Sequence, residues 1–338
     1  MTGTNLLSVA NLSVGYSTSQ GVVNAVSDVS FDVRRNEVFG IAGESGCGKS
    51  TLIRALLRLL SNNGVSTATS ITYEGEDINS FSDDKFRDAI LWKRISLVPQ
   101  SAMNSLNPVY RVGDQVIEAI RAHRSVSRSE ARERVEFLFD VVGLQPELMR
   151  SYPHEFSGGM RQRAMIAMSL ALDPGLIIMD EPTTGLDVLV QEQILRRVRE
   201  IRAEVSSSII LITHDIAVIA EMSDRISIMY GGKIVESATA IDLFESPFHP
   251  YTLGLKNAFP SISVMDNELI SIPGTPPALI GEESGCLFEP RCPFSDATCA
   301  QILPQSHSVG EMHQVSCHRH TDVTELREKA SKKSTWHC

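Results

Sequence analysis

Residues Val38–Thr51 read VFGIAGESGCGKST, and this stretch decides how the rest of the chain is read. An apolar run from Val38 to Ala42 leads straight into a loop where Gly43, Gly48, Lys49 and Ser50 satisfy G-x-x-x-x-G-K-S. Beyond it Leu52, Ile53, Leu56, Leu57 and Leu60 recur at helical spacing, which predicts a helix from Lys49 to Leu60. Strand, glycine loop and helix in that order are the context in which such a loop binds phosphate. Glycines let several backbone N–H groups converge on phosphate oxygens, the lysine supplies a point charge to the β- and γ-phosphates, and the serine hydroxyl ligates Mg²⁺. The helix adds its positive dipole end. Gly43, Glu44, Ser45, Gly46, Cys47, Gly48, Lys49, Ser50 and Thr51 are therefore expected to cradle a nucleotide. A glycine-rich turn that binds nothing is the bland alternative, and the flanking elements argue against it.

Upstream, LLSVANLSVGY and AVSDVSFDV alternate apolar and polar residues and are separated by STSQG, which predicts antiparallel strands joined by a turn. Downstream, from about Ser101 to Leu172, the pattern is helical; Ser127 and Glu130 stand at capping-box spacing and Gly143 is placed to end that helix. Strand signals return at LIIMD and IILIT, separated by the amphipathic VQEQILRRVREIRAEV. RISIMYGGKIVE reads as a hairpin turning at Gly231 and Gly232. The alternation implies a largely parallel α/β core with a helical insert. Beyond about Glu245 proline, glycine, histidine and cysteine dominate, which predicts a separate loop-rich extension over 246–325 and a frayed, flexible tail over 326–338.

With 338 residues and 42% hydrophobic content the chain is long enough for one large core and an appendage, or for two domains. Its formal charge of -10 weighs against a protein whose main task is gripping nucleic acid. The start, MTGTNLLSVANLSVGYS, lacks a basic segment followed by an apolar run, so no secretion signal is expected. No run approaches the roughly 18 apolar residues of a membrane span. Any role at a membrane is expected to be played from outside the lipid.

Two further stretches carry chemistry. LIIMDEP delivers Asp180 to the edge of a site, where it is expected to hold Mg²⁺ through its water shell, and Glu181 beside it can orient and deprotonate an attacking water. In EFSGGMRQR, Ser157, Gly158 and Gly159 precede a helical run, so a hydroxyl, glycine amides and a helix N-terminus form a second anion site. The phosphate loop already has a complete cradle of its own. The spare site makes sense if it closes over a nucleotide held by another subunit; taken alone, SGG is more often a flexible turn.

Taken in order, GESGCGKST, SLVPQ, FSGGMRQR, LIIMDEPT, GLD and ITHD resemble the ATP-binding subunit of an ATP-binding cassette (ABC) transporter, over roughly residues 6–245. The resemblance implies an α/β fold: a P-loop ABC ATPase core over 1–245 with an N-terminal antiparallel β subdomain, a helical subdomain inserted at about 101–172, and the C-terminal extension. The absence of an internal repeat excludes a tandem cassette. The resemblance further implies that Gln100 contacts Mg²⁺ and the water, that Asp187 links two facing sites, that His214 contacts the γ-phosphate, and that Tyr16 stacks on adenine. A tyrosine at that place is also a plausible edge-strand packing residue. Phe156 and Met160 stand where the family often has leucine and glutamine, and Gly185 where alanine is frequent. None of these departures removes a phosphate-contacting group.

VPQSAMNSLNPVYRVGDQ, SPFHPYTLGL, IPGTPPAL, CLFEPRCPF and VSCH resemble the importer branch for dipeptides, oligopeptides, nickel and some oligosaccharides. This implies an ATPase powering peptide uptake from the cytoplasmic side of the cell membrane. It would work with a second, homologous ATPase subunit as a heterodimer, two transmembrane permease subunits and an extracytoplasmic solute-binding protein. The segment after Gln100, including Met103 to Tyr110, would meet the permeases' coupling helices; an ordinary surface loop is the alternative. Import of nickel or oligosaccharides remains open. A soluble cassette ATPase of repair or translation is disfavoured, because neither a long coiled-coil interruption nor a second cassette is present.

Cys286, Cys292, Cys299 and Cys317 are spaced C-x5-C-x6-C-x17-C. Cytosolic ATP chemistry argues against a disulfide framework, and four thiolates complete either a [4Fe–4S] cluster or a zinc tetrahedron. Zinc usually comes with a C-x2-C knuckle, which is missing. Some members of the importer branch carry an iron–sulfur cluster on such cysteines, so the resemblance implies one here; zinc and free thiols stay open. His313, His318 and His320 are expected at the surface. Cys47, beside Lys49 and a helix N-terminus, is expected to favour its thiolate.

Overall fold

A computed structural model of the chain describes residues 5–100, 105–204, 207–258, 270–281 and 284–336. They fall into two compact units. One is built from Val33–Val38 and Ser80–Ile212, the other from Asn5–Asp32, Phe39–Asn79 and the chain from Thr213 onward.

In the second of these units, strands Asn5–Thr18 and Gly21–Arg34 largely follow the predicted alternation: Val9, Leu12 and Val14 in the first and Val29 and Phe31 in the second are buried between more exposed neighbours, while Leu6 and Leu7 are buried side by side. The first strand pairs antiparallel with Ser70–Tyr73 in the register Leu7↔Tyr73 and with Gly64–Thr67 in the register Tyr16↔Gly64. Val38–Ala42 runs parallel to Arg225–Tyr230, which turns back as Lys233–Thr239. Gly231 and Gly232 adopt φ 56° and 80°, the positive values a two-residue hairpin turn requires. The helix after the phosphate loop ends sooner than its apolar spacing predicts, at Leu56. Arg58 has left-handed backbone (φ 56°), and its guanidinium donates to the Ile78 and Asn79 carbonyls at 3.1 Å each, which fixes the break.

The chain beyond residue 245 differs from the expected separate module. His313–Val315 adds itself to Lys233–Thr239, with Glu236 opposite Val315, and His307–Gly310 pairs outside it. Tyr251, Phe288, Phe294, Leu326 and Trp336 join Ala42, Ile228 and Tyr230 in one buried cluster. No break in the core falls between residues 245 and 246, because apolar residues thinly scattered in sequence converge on the same face. The expected frayed tail is ordered through its described part. Val323–Ala330 is helical, and Trp336 is 2% exposed, with its indole Nε1 donating to the Ala330 carbonyl at 3.0 Å. Burying an indole outweighs the charges around it. Gly254 makes room for the ring: a Cβ there would lie 2.7 Å from Trp336 Cη2.

In the other unit, Ile95–Val98, Leu176–Asp180 and Ser208–Ile212 are parallel neighbours. Every residue of Leu176–Asp180 is buried, as expected of a parallel strand covered on both faces. Helices Val112–His123, Arg128–Val141, Gly158–Ser169 and Val188–Glu204 accompany them. The capping box forms: the Ser127 hydroxyl accepts from Glu130 N–H at 3.2 Å, and Ser127 N–H donates to the Glu130 carboxylate at 2.7 Å. Gly143, at φ 71°, ends that helix. No helix among the described residues is long and apolar enough to cross a membrane.

Candidate nucleotide site

The phosphate loop owes its path to its glycines. Gly43 has φ 152°, and a Cβ there would lie 2.1 Å from the Met229 carbonyl; at Gly48, with φ 105°, it would lie 2.3 Å from that of Ala25. Only glycine fits either place. Lys49 is 5% exposed. Its ammonium donates to the Gly43 and Glu44 carbonyls at 2.7 and 2.9 Å, with Cys47 Sγ at 3.6 Å. The cation therefore braces the loop from within while remaining part of its floor. Ser45 and Gly46 are exposed at the loop's crest, and Ser50 and Thr51 are half-buried in the first helical turn.

The expected acidic pair lies in the other unit. Asp180, 5% exposed, ends its strand, and Glu181 follows with left-handed backbone, φ 48°. Such a conformation strains a non-glycine residue and aims its side chain where a regular strand would not. The Glu181 N–H donates to the Ile212 carbonyl at 2.9 Å, which holds the kink. One Glu181 oxygen accepts from Gln100 Nε2 at 3.0 Å and from the Thr184 hydroxyl at 2.9 Å. Gln100 and Glu181 are thus brought together. Thr184 was missed, although its place three residues after Glu181 is a turn position from which a short hydroxyl reaches back.

Ser157 caps the helix Gly158–Ser169, its hydroxyl accepting from Met160 N–H at 3.3 Å. Gly159 is required by packing, since a Cβ would lie 2.4 Å from Val190 Cγ1. Asp187 is exposed and caps the helix Val188–Glu204 by accepting from Val190 N–H at 3.0 Å. His214 is exposed in the unit that carries the phosphate loop. Tyr16 is half-buried with its ring laid against Gly64, so edge-strand packing is part of its role. Of the stretch expected to meet permeases, Ser101, Ala102, Met103 and Asn104 lie outside the described residues; Val109 and Tyr110 are exposed.

Comparison with known proteins finds two family matches in order along the chain. Residues 26–184 match the family described as ABC transporter, and 235–299 the C-terminal region of oligopeptide/dipeptide transporters. The dipeptide transport ATP-binding protein DppD of Bacillus subtilis is 42% identical, over 92% of this chain and 94% of that protein. The oligopeptide transport ATP-binding protein OppD of Escherichia coli is 43% identical, over 88% and 89%. The chain belongs to the ABC transporter family. Among solved structures, cbiO1 from Clostridium perfringens, part of the ABC transporter complex cbiONQ, is 26% identical with a TM-score of 0.61, over 75% of this chain and 95% of that one. A dimeric bacterial ABC transporter cassette, MJ0796, is 25% identical with the same TM-score, over 69% and 98%.

Within this ABC ATPase, two expectations about cysteine change. Cys47 is 2% exposed, and burial pushes its thiol up against the pull of Lys49. Desolvation thus outweighs the attraction of Lys49 and disfavours the thiolate that the neighbouring charge suggested. In the C-terminal region, Cys286 N–H donates to the Cys299 carbonyl at 2.7 Å. Burial, with the neighbouring thiols adding to it, pushes Cys292 and Cys317 to about 12. Yet no three His, Cys, Asp or Glu side chains among the described residues are grouped to hold a metal ion, so the geometry lends the expected [4Fe–4S] ligand set no support. His313 is not at the surface either. It is 5% exposed and bonds through Nε2 to the buried Glu236 carboxylate at 2.7 Å.

That carboxylate also accepts from Phe248 and His249 N–H at 2.6 and 3.0 Å. His249 is 1% exposed and its Nδ1 accepts from Tyr251 N–H at 3.0 Å, so its ring is held neutral there. Burial pulls His249 down to about 4, against the attraction of Glu236. Between about 6.5 and 4 the unfolded chain therefore binds a proton that the native one refuses, and stability present at neutral pH is lost as pH falls. The full loss is roughly 3 kcal/mol. Thermal melts between pH 7.5 and 5 are expected to show a falling Tm whose slope flattens in His249→Phe. Equal slopes in the two proteins would reject this assignment.

Proposed function

We propose that this chain is the ATP-hydrolysing subunit of an importer of dipeptides or oligopeptides. The observation that carries this reading is the union, in one chain, of an ATP-binding cassette with the C-terminal region of oligopeptide/dipeptide transporters. Its relatives DppD and OppD, similar along nearly their whole length, are named for dipeptide and oligopeptide transport. The chain would sit at the cytoplasmic face of the membrane, touching it only through two permease subunits, with a homologous ATPase as its mate and an extracytoplasmic binding protein delivering solute.

Lys49 and the amides of residues 43–51 would bind the β- and γ-phosphates and Tyr16 would take the adenine; Ser50, Asp180 and Gln100 are the residues that would hold Mg²⁺, which would supply positive charge to the phosphate oxygens. Gln100 and Glu181 position the attacking water. Glu181 accepts its proton as the water oxygen bonds to the γ-phosphorus and the bond to the β,γ-bridging oxygen breaks, leaving ADP and phosphate. His214 contacts the γ-phosphate, and Ser157, Gly158 and Gly159 of the mate complete the cradle, with Asp187 linking the two sites. Positioning and charge stabilisation carry the catalysis.

The finer reading of Cys286, Cys292, Cys299 and Cys317 is a [4Fe–4S] cluster. What supports it is the donor set: four thiols in one region, each made harder to ionise by burial, and Cys286, Cys292 and Cys317 also by neighbouring thiols, a condition that a bound cation relieves. When bound, such a group pins the loops between its ligands. The test of the whole reading is reconstitution of the chain with its permeases and mate in vesicles. ATP-dependent accumulation of a labelled di- or oligopeptide, with iron and sulfide in equal amounts in protein purified without air, is expected. Uptake of another solute class alone overturns the peptide assignment, and iron-free protein overturns the cluster.

A further inference from the structure

The buried guanidinium of Arg291 lies in the turn Glu289–Arg291, immediately before Cys292, and is 8% exposed. It forks onto the carboxylate of Glu44, the second residue of the phosphate loop: Nη1 to Oε2 at 2.7 Å and Nη2 to Oε1 at 3.0 Å. Its remaining donors are also committed. Nε reaches the Pro273 carbonyl at 2.8 Å, Nη2 that of Ile272 at 3.4 Å, and Nη1 the Tyr230 hydroxyl at 3.3 Å. A second grip acts on the same residue through the main chain, where Glu44 N–H donates to the Tyr251 hydroxyl at 3.0 Å. Tyr251, Tyr230 and Phe288 pack with ring centroids 4.7 to 5.3 Å apart, so neither hydroxyl is free to move away. Glu44 also touches Lys49, whose ammonium donates to its carbonyl.

From this geometry we infer that Arg291 is a positioning residue for nucleotide binding, through which the C-terminal region braces the phosphate loop. Two physical effects act together. A carboxylate in a loop that must receive a polyanion repels it, and the bidentate guanidinium both cancels that charge and holds it to one side. The brace also keeps the loop in the shape that presents its amides, so that less ordering remains to be done when nucleotide arrives. Arg291 has no part in water activation. Its loss acts on affinity and leaves turnover of the bound complex nearly intact.

This inference rests on the ATPase reading above, and tight MgATP binding by the unaltered protein checks that reading separately. Equilibrium binding of MgATP, and KM and kcat for hydrolysis, are compared among the unaltered chain, Arg291→Met, Glu44→Gln and the double variant. Arg291→Met is expected to weaken MgATP binding about ten- to a hundredfold with kcat at saturating ATP changed by less than about threefold. The double variant, in which no unpaired carboxylate remains, is expected to recover most of that loss. A purely structural role would lower Tm with Kd unchanged, and that result overturns the inference, as does a double variant whose effects merely add. Should Arg291→Met not fold, Arg291→Lys keeps the charge without the fork. It is expected to bind MgATP several-fold more weakly at unaltered kcat, and affinity equal to the parent overturns the inference.

Discussion

Glu181→Gln is expected to lower ATP turnover by about a hundred- to ten-thousandfold while leaving MgATP bound. The side chain sits on a left-handed backbone position held by the Ile212 carbonyl, and its oxygen is aimed by Gln100 and Thr184. An amide of the same shape keeps the volume and can still accept from Thr184. It cannot take a proton from water, so the loss falls on chemistry alone. Steady-state hydrolysis at saturating ATP, alongside equilibrium nucleotide binding, separates the two. A variant that hydrolyses at the parental rate would remove Glu181 from the mechanism. Loss of binding together with rate would show instead that the strained turn had collapsed.

Lys49→Met is the complementary case, because its loss appears in binding first. The ammonium is almost fully buried and is held by two loop carbonyls, so its charge is fixed in the floor of the loop before nucleotide arrives. Methionine fills similar volume but leaves both carbonyls without their donor and removes the positive charge facing the phosphates. The expected penalty is about 2–5 kcal/mol, or about thirty- to several-thousandfold in Kd for MgATP. Calorimetric titration measures it, with Tm recorded to confirm a folded loop. Binding within about threefold of the parent would mean that backbone amides alone hold the phosphates.

The elements that share one local pattern were legible early. The strand–loop–helix at Val38–Leu56 and the hairpin at Gly231–Gly232 follow from glycine placement and apolar period, because backbone sterics act over a few residues. The capping box at Ser127 and Glu130 is equally local. Less was legible where burial decides. The Cys47 thiol looks activated from its neighbours in sequence, but charge enters only after desolvation, and desolvation is set by packing. The helix predicted to Leu60 stops at Leu56 because Arg58 finds carbonyls about twenty residues further on.

Sequence by itself thus determined the phosphate loop, the acidic pair that follows a buried strand, and the family to which they belong; each is a short contiguous pattern whose chemistry needs those residue types at that spacing. Tertiary structure alone decided that the region after residue 245 shares a core with the strands before it, that Trp336 is buried, and that Arg291 holds Glu44 from 247 positions away. The physical reason is separation along the chain. An ion pair or an aromatic cluster is specified by where the backbone brings its members, and nothing in the local spacing of EPRC or HPYTLGL announces which distant carboxylate or ring each will meet.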